Sequence, residues 1–342
     1  MQSTNSLIVS VLFVSGIIHY RQSYTLKEKN IIMRSGRGYA ALAILIWFTL
    51  TTGCVKYESL PINVNYPASI AYWPQRNMIL VGGYQGSMVE AISMTDQSRK
   101  TLSLGEKADG RIIRLKVDGS HALLWILNTN SIQVYDLLSN KILLNSNSNK
   151  LFGNTEVLTD IALDSRGNAY IIGSDTRKII RIQQNGFVVN AITATRVEDD
   201  AKHGQVRMSG FNALAISPDD NCLIASGLGA GSLWKISLIG GVMRPIKLSE
   251  SIGNVYSLEW GNTANGITLF AVRLADKRIT ALRFDHDYIE ARINDVVQGW
   301  IDGPAGAAYF GGKLYIAESQ LHHYMDAKLG VLPIFKVYGL SM

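Results

Sequence analysis

Cysteine is nearly absent: Cys54 and Cys222 are the only two in 342 residues. Two thiols exclude a disulfide-stapled scaffold and a sulfur-ligated metal centre. Cys222 sits in the apolar run CLIAS, where a small buried thiol is the ordinary reading. Charge is also scarce, at 18% of residues, and nearly balanced at a formal net +6. Arg21, Lys27, Lys29, Arg34 and Arg37 against Glu28 place +4 of this in the first 53 residues, so only +2 falls to the rest. That field is too weak to attract a nucleic acid, and none is expected as a partner. Neither an HExxH helix nor a GxSxG nucleophile elbow occurs, so those two hydrolase patterns are excluded. Helical periodicity is sparse beyond residue 55, which argues against an α-rich fold.

The one long greasy run is LAILIWFTLTTGC, residues 42 to 54. Its apolar part, Tyr39 to Thr52, is about 14 residues, short of the roughly 20 that a spanning helix needs. Arg34 and Arg37 precede it, after Met33. A basic start, a short apolar stretch and small residues before a cut site make a secretory signal. The string TTGC resembles the lipobox of bacterial lipoproteins, with Thr52 and Gly53 in the small positions and Thr51 where leucine is usual. That resemblance implies cleavage before Cys54 and a diacylglyceryl group on its thiol, which tethers the protein to a membrane. Val55 follows in place of the Asp associated with inner-membrane retention. The expected address is therefore the cell envelope, on the periplasmic side of the outer membrane. An uncleaved anchor or an ordinary signal cut near Gly53 is the alternative. Residues 1 to 32 carry a second apolar patch, LIVSVLFVSGII, and a charged tail, KEKNII. They read as an upstream extension if Met1 is the start, or as untranslated if Met33 is. The expected organisation is residues 1–32 as that extension, 33–53 as the signal, and 54–342 as one domain.

What the chain has in abundance is short β-rich runs between Gly, Asn, Asp and Ser turns. Six share one character: MILVGG, ALLWIL, AYIIGS, CLIASG, TLFAVR and LYIAES, starting at Met78, Ala122, Ala169, Cys222, Thr268 and Leu314, 44 to 53 residues apart. Each follows another apolar strand (SIAYW, IIRLKV, LTDIALD, FNALAIS, YSLEW, GAAYF) and precedes an alternating one (MVEAIS, SIQVYD, KIIRIQ, SLWKIS, ITALRF, IFKVYG). A period near 45 residues built of three or four strands is that of a β-propeller blade. The expected fold is all-β: a single six-bladed β-propeller. The last blade lacks an outer strand after Gly339, and ESLPINVN from Glu58 has nothing else to pair with. It is predicted to pair there and close the ring, removing an exposed edge. A β-sandwich or β-solenoid is the competing architecture.

LTDIALDSRGNAYIIGSD from Leu158 and FNALAISPDDNCLIASGLGAGSLWKISLIGG from Phe211 resemble blades of the senescence marker protein / gluconolactonase (regucalcin-like) family. The wider NHL-type and strictosidine-synthase-like propellers look similar. The resemblance covers most of residues 58 to 340. It implies a six-bladed propeller and, for the family's enzymes, one divalent metal (Ca²⁺ or Zn²⁺) at the mouth of the central channel. Residue by residue, Asn212 stands on the metal-binding Asn. Ala68 stands where the family has Glu, Tyr256 where it has Asp, and Thr159-Asp160 replace its Asn-Asp pair. The metal site implied by the family therefore looks degenerate, with Asn212 its one surviving ligand.

The starts of inner strands and the ends of second strands open on one face of a propeller. Those positions give Asp160, Asp175, Asn212, Arg273 and Glu318 as candidate ligand-binding residues, with Asn128 nearby. Asp160 with Glu318 is the candidate acid/base pair, which requires one of the two to have a raised pKa. Strand ends are also polar simply because they meet water. Residues 194–210 lengthen one connection and are placed over a channel mouth or in solvent. GLGAGS lies between two predicted strands and reads as a tight turn or bulge, not a dinucleotide loop. Asp285, His286 and Asp287 fall in a predicted hairpin turn. His322 and His323 are adjacent. In a loop both can face one metal, but no third ligand is spaced nearby in sequence. Two functions follow: a non-catalytic binding or scaffold propeller, monomeric, that holds an unknown small molecule or envelope protein; or a metal-dependent lactonase-like hydrolase of the resembled family. The lost ligands favour the first, and the overall resemblance with Asn212 favours the second.

Overall fold

The computed structural model describes residues 10–13, 16–19, 57–104, 111–154, 156–183, 188–196, 210–227, 231–325 and 334–342. Cys54 and the 33–53 segment lie outside the described residues, as do 197–209 and 228–230. The chain divides into two compact units, Met1–Cys54 and Val55–Met342. In the first, Ser10–Phe13 pairs with Gly16–His19 as an antiparallel hairpin. Among the described residues no helix is long and apolar enough to cross a membrane.

The second unit is a six-bladed β-propeller. Its inner strands are Pro67–Trp73, Ile112–Asp118, Leu158–Leu163, Phe211–Ile216, Ser257–Thr263 and Pro304–Phe310, for blades 1 to 6. The second strands are Met78–Gly83, Leu123–Asn128, Ala169–Gly173, Cys222–Gly227, Gly266–Arg273 and Lys313–Glu318. Four strands of each blade pair antiparallel from the inner strand outward, and blades 4 and 5 each add a two-residue parallel edge strand, Thr195–Arg196 and Lys247–Leu248. Each inner strand packs on that of the next blade, and the sixth packs on the first.

The apolar runs are explained by what flanks them. In blade 2, Ala122, Leu124 and Ile126 pack towards blade 1, while Leu123, Trp125 and Leu127 pack towards blade 3. A strand's side chains alternate between faces, and here both faces are blade interfaces. Period-2 polarity is therefore absent from the inner half of a blade. The core is correspondingly divided into six apolar clusters, one between each pair of neighbouring blades. Cys222 belongs to one of them as a free, buried thiol.

Blade 6 draws on both ends of the unit. Tyr57–Pro61 hydrogen-bonds antiparallel to Lys336–Ser341 as its outermost strand, with Tyr57 opposite Leu340 and Pro61 opposite Lys336. Glu58 accepts from the Tyr315 hydroxyl at 2.8 Å and meets Lys313 Nζ at 2.9 Å. The Lys313 bond and charge, with the Tyr315 bond, hold the Glu58 carboxyl below its ordinary value despite some burial.

Where blades 6 and 1 meet, glycine is required by proximity. A Cβ on Gly306 would lie 2.6 Å from Ser69 Cα and 2.9 Å from Ile70 N. Both are backbone atoms of the neighbouring inner strand, which cannot rotate away. Gly306→Ala is expected to lower stability by about 1–3 kcal/mol through overpacking, read as a lower urea midpoint with an unchanged slope. An unchanged midpoint would mean that the two strands are not in this contact.

Candidate functional site

Five of the six inner strands begin with a bulge. Pairing with the second strand skips Ala68, Ile113, Thr159, Asn212 and the Ala305–Gly306 pair. A bulge re-aims the side chain it frees. Of the positions that align with the resembled family's ligands, Ala68, Thr159 and Asn212 fall on these bulges, and Tyr256, before the one inner strand without a bulge, does not. In this chain their chemistry has changed. Ala68 is fully buried and offers no donor. Asn212 Nδ2 donates to the Val255 carbonyl at 2.5 Å. Thr159 Oγ1 donates to the Phe211 carbonyl at 2.8 Å. The Tyr256 ring lies under the Arg114 guanidinium, 4.3 Å from its centroid. These residues do not fit a hard divalent cation, which needs several charged oxygens free to coordinate.

The channel is instead filled by charges from the inner strands. Arg114 and Lys116 of blade 2 are two apart and so share one face. Arg114 Nε binds Asp160 Oδ1 of blade 3 at 3.0 Å, and both side chains are almost wholly buried. Its other nitrogens donate to the carbonyls of Ile113 and Tyr256. Asp160 also accepts from Leu214 N of blade 4 and from its neighbour Ile161 N, each at 2.8 Å. Lys116 Nζ reaches Glu259 Oε2 of blade 5 at 2.7 Å. Blades 2 and 5 face each other in a ring of six, so the contacts to Glu259 and Tyr256 cross the channel. Between Ser69, Arg114, Asp160 and Ser257 they leave a cavity of about 10 Å³, at the lower limit for a single water.

Burial pushes the Asp160 carboxyl up from its ordinary value, while Arg114, Lys116 and the two backbone N–H groups favour its charged form. Burial also works against the Lys116 ammonium, but Glu259 and Asp160 outweigh it and leave its pKa raised. Each group is thus matched to a partner, and the set behaves as a cross-brace. Both Asp160 oxygens are engaged, Oδ1 by Arg114 and Ile161 N and Oδ2 by Leu214 N.

The remaining predicted residues are dispersed. Glu318 stands in blade 6, across the ring from Asp160, and its Oε1 accepts the Asp302 N–H at 3.0 Å. Arg273 binds Asp276 Oδ2 through Nε at 2.9 Å and NH2 at 2.5 Å, bracing its own turn. Asp175 is exposed, and its Oδ1 accepts from the Ser174 hydroxyl at 2.9 Å. Asn128 is buried and donates to Ser131 Oγ at 3.3 Å. Asp285 caps its predicted turn, accepting from Ile289 N at 2.8 Å and Glu290 N at 3.1 Å.

Sequence reasoning passed over Arg114, Lys116 and Glu259, although each interrupts an otherwise apolar inner strand. Two cations and two anions on strands that line one channel were the available signal. It also passed over Glu156, a buried carboxylate whose Oε1 takes the N–H groups of Asp175 and Thr176 at 2.8 and 3.2 Å.

No protein-family model matches the sequence, and no curated protein matches it. Solved structures do share its fold. Virginiamycin B lyase from Staphylococcus aureus is 14% identical, with a TM-score of 0.58, covering 84% of this chain and 100% of its own. The major allergen Mala s 1 of Malassezia sympodialis is 16% identical at 0.61, with 83% and 96% covered. The PQQ-bound aldose sugar dehydrogenase of Streptomyces coelicolor is 13% identical at 0.56, with 84% and 99% covered. Identities this low carry the propeller architecture and nothing of the reaction.

Proposed function

We propose that this chain is a non-catalytic binding propeller, held at the bacterial cell envelope by lipid on Cys54. In this reading it is a diverged relative of the gluconolactonase-type propellers, facing the periplasm from the outer membrane. The observation that carries the reading is the cross-brace. The ionisable side chains that line the channel are spent on one another, through Arg114–Asp160 and Lys116–Glu259. A lactonase of the resembled kind needs a cation and a free base at that place, and Ala68, Tyr256 and the engaged Asn212 supply neither. A closed ring with a filled channel is suited to presenting its faces to an envelope protein or a small ligand.

The test has two arms. Purified residues 55–342, given a lactone panel with Ca²⁺, Zn²⁺, Mn²⁺ or Mg²⁺, are expected to show no turnover above the buffer blank. Turnover that disappears in Asn212→Ala would replace this reading with the metal-dependent lactonase-like hydrolase. For the anchor, Cys54→Ala is expected to move cell-made protein out of the membrane fraction and to remove the diacylglyceryl mass. Membrane retention by the variant would sink the lipid tether.

A further inference from the structure

Two loops of blade 6 bring three metal-ligating side chains together. Asp302 lies in the connection that leads into the inner strand Pro304–Phe310. His322 and His323 lie on the single helical turn Leu321–Met325, just past the second strand. Their ligand atoms all fall within 4.8 Å of one another. His322 Nε2 and His323 Nε2 are 3.6 and 3.5 Å from the same oxygen, Asp302 Oδ2. Those separations are long for N–H···O bonds, which run to about 3.2 Å. They are close to the spacing between donors on a tetrahedral ion at about 2.0–2.1 Å, which is roughly 3.4 Å.

The loops are stitched into this position independently of the imidazoles. Glu318 Oε1 accepts the Asp302 N–H at 3.0 Å, and Gln320 N donates to the Asp302 carbonyl at 3.2 Å. Ser319 donates to the Gly303 carbonyl from both its N–H and its hydroxyl, each at 2.8 Å. Lys277 Nζ takes the other carboxylate oxygen, Oδ1, at 2.7 Å. Oδ2 is thereby turned to the imidazoles, as outer partners commonly orient a metal-binding carboxylate. Neighbouring helical residues ordinarily diverge by about 100°. Here both rings tilt onto one another, with centroids 3.9 Å apart, and converge on one point.

We propose that Asp302, His322 and His323 form a binding site for one divalent transition-metal ion, with zinc the ion they fit. Two imidazoles and a carboxylate are the donor set of open zinc centres, in which a fourth position is left to water or a ligand. The side chains are 33–40% exposed, so that position faces solvent. Calcium and magnesium, which demand six or more oxygens, are not served by two nitrogens. The site lies on the face where inner strands begin, apart from the channel brace, and stands or falls separately from the binding reading above.

Untagged full-length chain in detergent micelles, stripped with chelator and dialysed against micromolar zinc, tests it by metal analysis. About one zinc per chain is expected. Affinity should fall more than roughly tenfold in His322→Ala, His323→Ala and Asp302→Asn, and stay unchanged in Asn212→Ala. Cobalt in place of zinc should give the visible absorption of a four-coordinate site. The three substituted side chains are partly exposed, and a retained melting temperature shows that each variant has folded. Absence of bound zinc overturns the proposal, as does equal retention by a His322→Ala/His323→Ala double variant.

Discussion

Asp160→Ala is expected to destabilise the propeller by about 3–5 kcal/mol, because it leaves Arg114 as an uncompensated charge in the interior. The carboxylate serves three donors: Arg114, Leu214 N and Ile161 N. The first of these is a cation with only 4% of its side chain exposed. The melting temperature of residues 55–342 should fall by about 10 °C. Glu259→Ala is the control. It breaks the other channel pair, but Lys116 and Glu259 keep 26% and 22% of their side chains in solvent, so its cost should stay near 1 kcal/mol or less. A second comparison separates pair from charge. Arg114→Met with Asp160→Leu removes both ions and should recover most of the loss, since a buried pair often contributes little beyond its apolar replacement. Equal melting temperatures for the protein and Asp160→Ala would show that the brace is not formed. The same variant also divides the two functional readings. A catalytic Asp160 would lose turnover and keep its fold, whereas a bracing Asp160 loses the fold's stability.

The blade pattern was legible because propeller strands are repetitive and their apolar runs are set by local burial. All six runs that share the MILVGG character coincide with second strands. ESLPINVN was read as pairing in the last blade, and Tyr57–Pro61 does pair there. The site was legible only in part. Asn212 was read as a ligand-binding and metal-ligating residue at an inner-strand start, and the position it occupies there is a bulge. What its amide binds depends on Val255, 43 residues away. Lys116 and Glu259 are 143 residues apart and meet only because blades 2 and 5 face each other. The two histidines were read as able to share a metal, and their third group, Asp302, was missed for the same reason. They are neighbours through a hairpin's hydrogen bonds, not through sequence spacing.

Removing Tyr57–Pro61 is the other large perturbation. Blade 6 would then end at Lys336–Ser341, with a row of unpaired backbone groups and with Tyr338 and Trp300 stripped of the Tyr57 ring that packs on both. Bare strand edges recruit other strands. The shortened protein is expected to elute as dimers and larger species, and to melt about 10 °C or more below the complete unit. Glu58→Gln keeps the strand and should change melting by only a few degrees. A monomeric shortened protein with unchanged melting would mean that the strand is dispensable to the ring.

The same pairing also sets a clock. Lys336 follows Pro61 by 275 residues. At about 5–20 residues per second of synthesis, the partner of the first propeller strand emerges roughly 15 to 55 seconds after it. Hairpins form in about 1–10 microseconds once both strands exist, so blades 1 to 5 finish in the order they are made. The sixth waits for the ribosome. For that interval the newborn chain carries one β-strand with no mate.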